Sequence, residues 1–170
     1  METVDFTPGP IDRAAPVFVA GHRGMVGSAI HRKLEAEGFT HLLVRPRSAL
    51  DLTDRRAVFE FFGAARPEVV VLAAARVGGI LANSTRPVDF ISENLQIQVN
   101  VLDAALHTGV RRLLFLGSSC IYPKFAPQPI TEDALLTGPL EPTNDAYAIA
   151  KIAGILQVQA VRRQYGLAWI

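Results

Sequence analysis

Tyr147 and Lys151 are four positions apart in the segment YAIAK, a spacing that predicts a phenol and an ammonium on one face of a helix. A free tyrosine has a pKa of about 10 and is a poor acid or base at neutral pH. Because a nearby ammonium stabilises the phenolate, we expect Lys151 to lower the pKa of Tyr147. The phenol would then exchange a proton with a carbonyl or an alcohol while hydride is transferred. Helices also carry such pairs by chance, so the prediction depends on the surrounding elements.

Ser118, Ser119 and Cys120 directly follow a predicted strand at residues 112–116. The Ser118 hydroxyl is suited to holding a substrate oxygen beside the phenol, whereas Ser119 more simply satisfies a turn. Cys120 is the only cysteine, and a lone cysteine usually fills a core. At the end of a strand beside a reacting group it would instead exchange a proton with carbon, and the residues alone leave both possibilities open. No set of side chains has the spacing of metal ligands.

Three glycines, Gly21, Gly24 and Gly27, lie between an apolar run at residues 17–20 and a helical pattern at residues 25–38. A strand, a glycine turn and a helix together are typical of a dinucleotide site. The first glycine allows a sharp turn, the second lets the backbone approach a pyrophosphate, and the third lets the helix lie close to the strand. Free N–H groups at the helix start then face the anion. The alternative is an ordinary tight turn.

The second predicted strand, residues 41–44, ends without the carboxylate that usually binds the ribose 2′-hydroxyl of NAD. Arg45 and Arg47 follow it instead, and a guanidinium suits the 2′-phosphate of NADP(H). Arg23 in the glycine turn would close on the same phosphate, and Asp51 would lie near the adenine. We therefore predict NADP(H) as the cofactor. The alternative is that Arg45 and Arg47 are solvated loop residues.

Strands alternate with helices along the chain, which predicts an α/β fold: a Rossmann-like, doubly wound parallel sheet with helices on both faces. The predicted strands are residues 17–20, 41–44, 69–73, 112–116 and 167–170, and the predicted helices are residues 25–38, 55–65, 87–107 and 145–165. Residues 77–80 and the Pro-rich residues 117–144 are predicted to be loops. The ligand crevice of such a sheet lies at the carboxyl ends of its strands. The segments expected on that rim are residues 21–27, Arg47, residues 73–79 and residues 117–120.

The helix predicted at residues 87–107 carries one apolar stripe and a second apolar side. The stripe consists of Leu95, Val99, Leu102 and Leu106. A helix that is apolar on two sides is buried on two sides. We therefore expect this helix to contact a partner subunit as well as the sheet.

The chain has 170 residues, of which 49% are hydrophobic and 19% charged, as is typical of one globular domain. The net charge is +1 and the arginine pairs are scattered, so nothing indicates a nucleic-acid surface. The longest apolar run without a charge, residues 69–75, is too short to cross a bilayer, and a single cysteine suits a reducing compartment. We expect a cytoplasmic protein with no membrane segment, a flexible tail at residues 1–15 and a cofactor-binding domain at residues 16–170.

Longer strings of residues point to a family. Gly21-x-x-Gly24-x-x-Gly27, Ser118 and the Tyr-x-x-x-Lys pair resemble the extended short-chain dehydrogenase/reductase family. Four strings are similar to the GDP-L-fucose synthase family within it: GHRGMVGSAI (21–30), LAAARVGGI (72–80), GSSCIYPK (117–124) and EPTNDAYAIAKIAG (141–154). These strings span most of residues 16–166 and are far more specific than the superfamily motifs.

The resemblance implies an enzyme that uses NADPH to convert GDP-4-keto-6-deoxy-D-mannose to GDP-L-fucose by 3,5-epimerisation and 4-reduction. It assigns Tyr147 as the acid that protonates the C4 oxygen, with Lys151 supporting it and Ser118 binding the same oxygen. Cys120 matches the epimerisation base. Homodimers are implied, formed through helices at residues 87–107 and 145–165. The residues expected to contact NADP(H) are Gly21, His22, Arg23, Gly24, Met25, Val26, Gly27, Arg47, Asp51, Leu52, Leu116, Gly117, Ser118, Ser119 and Lys151.

Members of this family continue well beyond the position of Ile170. They add the last strands of the sheet, a smaller domain that binds the GDP-sugar, and a histidine that is the acid partner of the epimerisation base. We therefore expect this chain to be an incomplete cofactor-binding portion without the substrate domain, which folds poorly and has little synthase activity alone. Two alternatives stay open: another NAD(P)-dependent nucleotide-sugar epimerase or dehydratase, and a non-catalytic NADP(H)-binding remnant. Cys120 and Arg47 argue against the first, and the Ser118, Tyr147 and Lys151 set argues for a catalytic lineage.

Overall fold

The computed structural model describes residues 9–170, which form a five-stranded parallel sheet with helices on both faces. The strands are β1 (Val17–Ala20), β2 (Leu42–Leu43), β3 (Val69–Leu72), β4 (Arg112–Phe115) and β5 (Ala168–Trp169). The helices are α1 (Met25–Ala36), α2 (Arg55–Ala65), α3 (Ile80–Thr85), α4 (Pro87–Thr108) and α5 (Asp145–Tyr165). The predicted α/β, Rossmann-like fold is confirmed.

The strand order is β2-β1-β3-β4-β5, so the sheet grows in opposite directions on the two sides of β1. Such a point of reversal is where open α/β sheets bind their ligands. The register aligns Ala20 with Leu72, and Leu72 with Phe115. The segments that follow these three strands therefore leave the sheet at the same edge.

The core has one cluster on each face of the sheet. On one face, Phe18, Val70 and Leu113 pack with residues of α2, α4 and α5. On the other face, Val17 and Val71 pack with residues of α1. Strands that are covered on both faces are apolar along their whole length, which explains the continuous hydrophobic runs at β1 and β3.

Helix ends follow the local chemistry of the chain. Asp54 caps α2, because its side chain accepts a hydrogen bond from the Ala57 N–H at 3.1 Å. Gly109 ends α4 in the left-handed region with φ 80°, a conformation that glycine adopts without strain. α1 ends at Ala36, two residues before the predicted end at Gly38. The predicted strands are each longer than the observed ones, with the exception of β1.

α4 differs from its prediction in the face that it buries. Of the predicted stripe, Leu102 is buried but Val99 is 38% exposed. The side chains of Asn94 and Gln98 are buried instead, and Gln98 Nε2 donates to the Ala150 carbonyl of α5 at 2.8 Å. Polar residues fit this face because each forms a hydrogen bond with a backbone group there. Apolar periodicity in the sequence does not reveal such tertiary contacts.

Two further segments differ from their predictions. Helix α3 was not predicted, since its six residues are too few to display a helical period. The loop predicted at residues 117–144 contains two short 3-10 turns, Ser119–Ile121 and Glu132–Ala134. Within residues 9–170, no helix combines the length and the apolar character that a membrane span requires.

Residues 1–8 of the predicted tail lie outside the described residues. Further along, the Arg13 carbonyl accepts a hydrogen bond from the Thr40 N–H at 3.0 Å, and the Arg13 guanidinium lies 4.5 Å from the Phe39 ring centroid. Ile11 packs against the cluster under α1. Residues 11–13 therefore contact the segment between α1 and β2 and the core cluster beside α1.

Candidate active site

A cleft of about 720 Å³ opens at the carboxyl ends of β1, β3 and β4. Most of its lining comes from the segments that the sheet register brings to one edge. Its lining includes Gly21–Gly27, Arg47, Asp51, Arg76, Glu93, Leu116, Tyr147 and Lys151. Most of the predicted rim therefore lines one cleft, although residues 78–79 and 118–120 do not, and the glycine turn lies on the same cleft as the Tyr–Lys pair.

The glycine turn is packed too closely for side chains. Gly21 has φ +86°, and a Cβ built on it would lie 2.7 Å from the Ala74 backbone nitrogen. A Cβ on Gly27 would lie 2.2 Å from the Gly21 carbonyl oxygen. Gly24 donates its N–H to that same oxygen at 2.9 Å, which closes the turn.

The start of α1 is suited to an anion. Gly24 caps α1 without any side-chain hydrogen bond, and the first turn of α1 carries no acidic residue. The backbone N–H groups of that turn and the positive end of the helix therefore stay open to a ligand phosphate. These open N–H groups are suited to the pyrophosphate of a dinucleotide, and Gly27 lets α1 start this close to the turn.

His22 lies within the glycine turn, and its ring is partly buried. Its Nδ1 is buried and has no hydrogen-bond partner among the described residues. Burial lowers the pKa of His22 below its ordinary value, and Arg23 and His31 lower it further. Arg23 itself is exposed at the mouth of the cleft.

Arg47 lies at the end of the cleft that follows β2, between two carboxylates. Its Nε is 3.7 Å from Asp51 Oδ2, and its Nη2 is 3.7 Å from Glu93 Oε2. Asp51 is held by Thr53, whose N–H and hydroxyl both donate to Asp51 Oδ1. These hydrogen bonds lower the pKa of Asp51, and the nearby Arg47 lowers it further. Arg47 keeps 70% of its side chain exposed, so it is open to an incoming phosphate.

Arg76 and Glu93 both line the cleft, although Glu93 was not predicted and Arg76 was predicted only as part of the rim segment 73–79. Arg76 donates to Glu93 Oε1 at 2.5 Å and to Asp89 Oδ2 at 3.1 Å. The Asn94 side chain fixes the Arg76 backbone through two hydrogen bonds. Arg76 could have been found as a charge that interrupts the apolar segment after β3. Glu93 could not, because only the packing of α4 on the sheet brings it to Arg47.

Tyr147 and Lys151 project from α5 into the other end of the cleft. Lys151 is 4% exposed and its Nζ donates to the Leu116 carbonyl at 2.9 Å. Its Nζ also lies 4.6 Å from the Phe115 ring centroid and 6.0 Å from the Tyr147 ring centroid. Burial lowers the pKa of Lys151 to about 8, although the neighbouring Cys120 acts in the opposite direction.

The expectation that Lys151 lowers the pKa of Tyr147 is wrong for this structure. The pKa of Tyr147 is raised, first by burial and then by the neighbouring Cys120, whereas a hydrogen bond with Ser118 lowers it. Burial disfavours the phenolate, and the Lys151 ammonium is engaged by the Leu116 carbonyl. The phenol is therefore held in its protonated form.

Ser118 and Cys120 lie beside Tyr147, in the turn after β4. Ser118 Oγ is 3.1 Å from Cys120 Sγ, and either atom can be the donor. Both side chains are half-buried, and Cys120 is a free thiol. Neither Ser118, Ser119 nor Cys120 lines the cleft itself, unlike Leu116 and Gly117 just before them. The four residues of the predicted chemical set thus lie at one end of the cleft, two on its wall and two next to it.

The chain is similar in sequence to a known family and to several of its members. The family described as "NAD dependent epimerase/dehydratase family" matches residues 17–170. GDP-L-fucose synthase 1 of Arabidopsis thaliana is 63% identical over 155 residues, which cover 91% of this chain and 48% of that protein. The chain spans about half the length of the curated relatives it matches.

Two solved structures are also similar. One is a GDP-mannoheptose C4 reductase from Campylobacter jejuni with NADP bound, with TM-score 0.91 and 37% identity over 95% of this chain and 51% of that one. The other is a GDP-L-fucose synthetase from Naegleria fowleri bound to NADP, with TM-score 0.84 and 27% identity over 96% of this chain and 53% of that one. Since the family match spans nearly all of the described residues, the chain belongs to the NAD dependent epimerase/dehydratase family.

Proposed function

We propose that residues 16–170 form the NADP(H)-binding portion of an enzyme that converts GDP-4-keto-6-deoxy-D-mannose to GDP-L-fucose. The reaction combines epimerisation at C3 and C5 with reduction of the C4 ketone. One observation carries the proposal: Ser118, Cys120, Tyr147 and Lys151 meet at one end of the cleft, and the glycine turn lies at the same edge of the sheet. The relative from Arabidopsis thaliana, named GDP-L-fucose synthase 1, supports this substrate.

NADP(H) is the proposed cofactor. The turn from Gly21 to Gly27 would hold the pyrophosphate, and the exposed guanidiniums of Arg23 and Arg47 would hold the 2′-phosphate. Leu52 and Gly117, which line the cleft, would contact the two ends of the dinucleotide, whereas the predicted contacts Ser118 and Ser119 do not line it. The two similar structures that hold NADP support this choice.

Tyr147 is the proposed acid of the reduction. A bound nicotinamide would supply a hydride to the C4 carbon, and the C4 oxygen would then need a proton. Tyr147 is held protonated by burial, so its hydroxyl can donate that proton when the negative charge develops. The Ser118 hydroxyl would hold the same oxygen, and Lys151, fixed on the Leu116 carbonyl, would position the cofactor beside Tyr147.

Cys120 is the proposed base of the epimerisation. A ketone at C4 acidifies the hydrogens on C3 and C5, so a thiolate beside the ketone can remove them. Cys120 lies 3.1 Å from Ser118, the residue that would hold the ketone oxygen. Removal of the proton breaks the C–H bond and leaves its electron pair in an enolate, and return of a proton to the opposite face inverts the centre.

The proposed enzyme is a cytoplasmic homodimer that pairs α4 and α5 with the same helices of a second copy. α4 and α5 form extensive contacts with each other, and their outer face retains exposed apolar side chains. These are Val88, Val99, Ile149 and Leu156. Apolar positions that stay exposed on two adjacent helices are typical of a subunit interface.

The roles of Tyr147 and Cys120 can be tested separately in the protein that contains this chain. Tyr147→Phe should lower C4 reduction at least about 100-fold while NADPH affinity changes little. Cys120→Ala should stop exchange of the C3 and C5 hydrogens with deuterium while C4 reduction continues. If Tyr147→Phe loses both C4 reduction and deuterium exchange, the result still agrees with one shared site. If Cys120→Ala exchanges the C3 and C5 hydrogens at the wild-type rate, the proposal is contradicted.

A second candidate is a GDP-sugar C4 reductase that does not epimerise its substrate. The similar Campylobacter jejuni protein, described as a GDP-mannoheptose C4 reductase, favours it. The same deuterium experiment separates the two functions, because a pure reductase leaves the C3 and C5 hydrogens in place.

A further inference from the structure

Glu93 is a cleft-lining carboxylate whose two oxygens have different surroundings. Oε1 accepts the 2.5 Å hydrogen bond from Arg76. Oε2 is buried and has no hydrogen-bond partner among the described residues, but it lies 3.7 Å from Arg47 Nη2. Glu93 thus presents an unsatisfied, negatively charged oxygen to the guanidinium that would receive the 2′-phosphate.

Glu93 is held in this position by its other oxygen. Arg76 is itself fixed, because its guanidinium also binds Asp89 and lies 5.5 Å from the Phe90 ring centroid. The side chain of Glu93 is only 25% exposed, which limits its escape into solvent. The carboxylate therefore cannot simply rotate away when a second anion approaches Arg47.

Arg47 is already shared between two carboxylates before any phosphate arrives. Asp51 and Glu93 each lie 3.7 Å from one of its nitrogens, beyond hydrogen-bond distance. A 2′-phosphate at Arg47 would gain charge-assisted hydrogen bonds, but it would also come within a few ångströms of these like charges. A 2′-hydroxyl, being neutral, would not meet this repulsion.

We propose that Glu93 is a cofactor-specificity residue, which competes with the 2′-phosphate for Arg47 and so weakens the preference for NADPH over NADH. The inference rests on the proposed NADP(H) site. The charge of Glu93, rather than its packing, sets how strongly the site discriminates between the two cofactors. Glu93 is not offered as a ligand of the cofactor.

The test is the ratio of NADPH to NADH affinity, measured by fluorescence titration of the chain and of three variants. Glu93→Gln keeps the size of the side chain and removes its charge, so the ratio should rise about three- to tenfold at low salt. Asp89→Asn is the matched control, because Asp89 binds the same Arg76 but has no contact with Arg47. Its ratio should stay within about twofold of the wild type. Arg47→Ala should lower the ratio, which checks the site itself.

The salt dependence gives a second readout. The excess of the Glu93→Gln ratio over the wild-type ratio should shrink as ionic strength rises, since it is electrostatic. If Glu93→Gln unfolds, Glu93→Ala removes the same charge and should raise the ratio in the same direction.

An unchanged or lowered ratio in a folded Glu93 variant, with Arg47→Ala still lowering it, would overturn the inference and leave the NADP(H) site intact. A lowered ratio would mean that Glu93 holds Arg47 in place for the phosphate. If instead the wild type shows no preference and Arg47→Ala changes nothing, the proposed cofactor site fails, and the inference fails with it.

Discussion

The Lys151 ammonium donates a hydrogen bond to the Leu116 carbonyl across 2.9 Å, and this contact joins α5 to the end of β4. It is made in a largely buried setting, where Lys151 is 4% exposed. The contact fixes the residue that would position the nicotinamide, but it also buries a positive charge. A buried ammonium next to a neutral carbonyl is less stable than one in water, which lowers its pKa.

The burial of Lys151 makes the stability of the fold depend on pH. The pKa of Lys151 is lowered from 10.5 to about 8 in the folded chain. Between about pH 8 and pH 10.5 the unfolded chain therefore binds more protons than the folded chain, and the free energy of unfolding rises with pH. Lys151→Met removes this group, so its free energy of unfolding lacks this rise. We expect the free energy of unfolding of Lys151→Met to exceed that of the wild type at pH 8, and this excess to decrease by up to about 3 kcal/mol as the pH rises to 10.5.

Urea denaturation of both proteins at a series of pH values measures the difference. Because other groups titrate in the same range, only the difference between the two proteins is interpreted. A difference that stays constant from pH 8 to pH 10.5 would show that the Lys151 ammonium is not destabilised by its burial.

The glycine turn should not tolerate even one methyl group at Gly27. A Cβ there would lie 2.2 Å from the Gly21 carbonyl oxygen and 3.2 Å from the His22 nitrogen. Gly27→Ala must shift the turn, and we expect it to lower the free energy of unfolding by about 2 kcal/mol. NADPH affinity should fall at least about tenfold, because the backbone donors at the start of α1 move with the turn.

Gly63→Ala is the matched control for that prediction. Gly63 lies within α2, and a Cβ there meets no atom within 4 Å. Because alanine is the better helix former, this variant should gain about 0.5–1 kcal/mol of stability and bind NADPH like the wild type. Equal behaviour of the two variants would contradict the close packing of the turn.

Ser118 should control the reactivity of Cys120. The two side chains lie 3.1 Å apart, and a serine hydroxyl that donates to a thiolate stabilises it. Ser118→Ala should therefore lower the rate of Cys120 alkylation at neutral pH about three- to tenfold. Since the chain has one cysteine, mass spectrometry of the intact protein measures this rate without ambiguity.

The remote variant Ser84→Ala should alkylate at the wild-type rate, because Ser84 bonds to the Leu81 carbonyl in α3. An alkylation rate that does not change in Ser118→Ala would mean that the hydroxyl does not stabilise the thiolate.

The proposed subunit contact can be tested on the outer face of α5. Leu156 is 42% exposed in the single chain. In a dimer built on α4 and α5, Leu156→Glu would bury an unpaired charge, which should raise the dimer dissociation constant at least about tenfold. Phe125→Glu is the control, since Phe125 is 82% exposed in the loop after β4. Analytical ultracentrifugation that finds the two variants equally dimeric would argue against this interface.

Sequence reasoning recovered the parts of the molecule that depend on local chemistry. Apolar runs located the strands, and the spacing of Gly21, Gly24 and Gly27 located the turn that the packing requires. The Asp54 side chain caps α2 from the position directly before the helix. In each case the structure is set by residues that are neighbours in the chain.

What the sequence did not predict depends on contacts between distant segments. Glu93 reaches Arg47 only because α4 packs on the sheet near the end of β2. The pKa of Tyr147 was predicted in the wrong direction, because the spacing to Lys151 reports nothing about burial. The apolar stripe predicted the wrong buried face for α4. Asn94 and Gln98 lie on the buried face instead, because backbone groups of other segments satisfy their side chains.

The most direct test of the account is a fluorescence titration of the 170-residue chain with NADPH and with NADH, together with the Arg47→Ala variant. We predict that the wild type binds NADPH more tightly than NADH. Arg47→Ala should reduce NADPH affinity about tenfold, since a charge-assisted contact to the 2′-phosphate is lost, and leave NADH affinity nearly unchanged. Equal affinity for the two cofactors in the wild type, unaffected by Arg47→Ala, would contradict the assignment of this cleft to NADP(H).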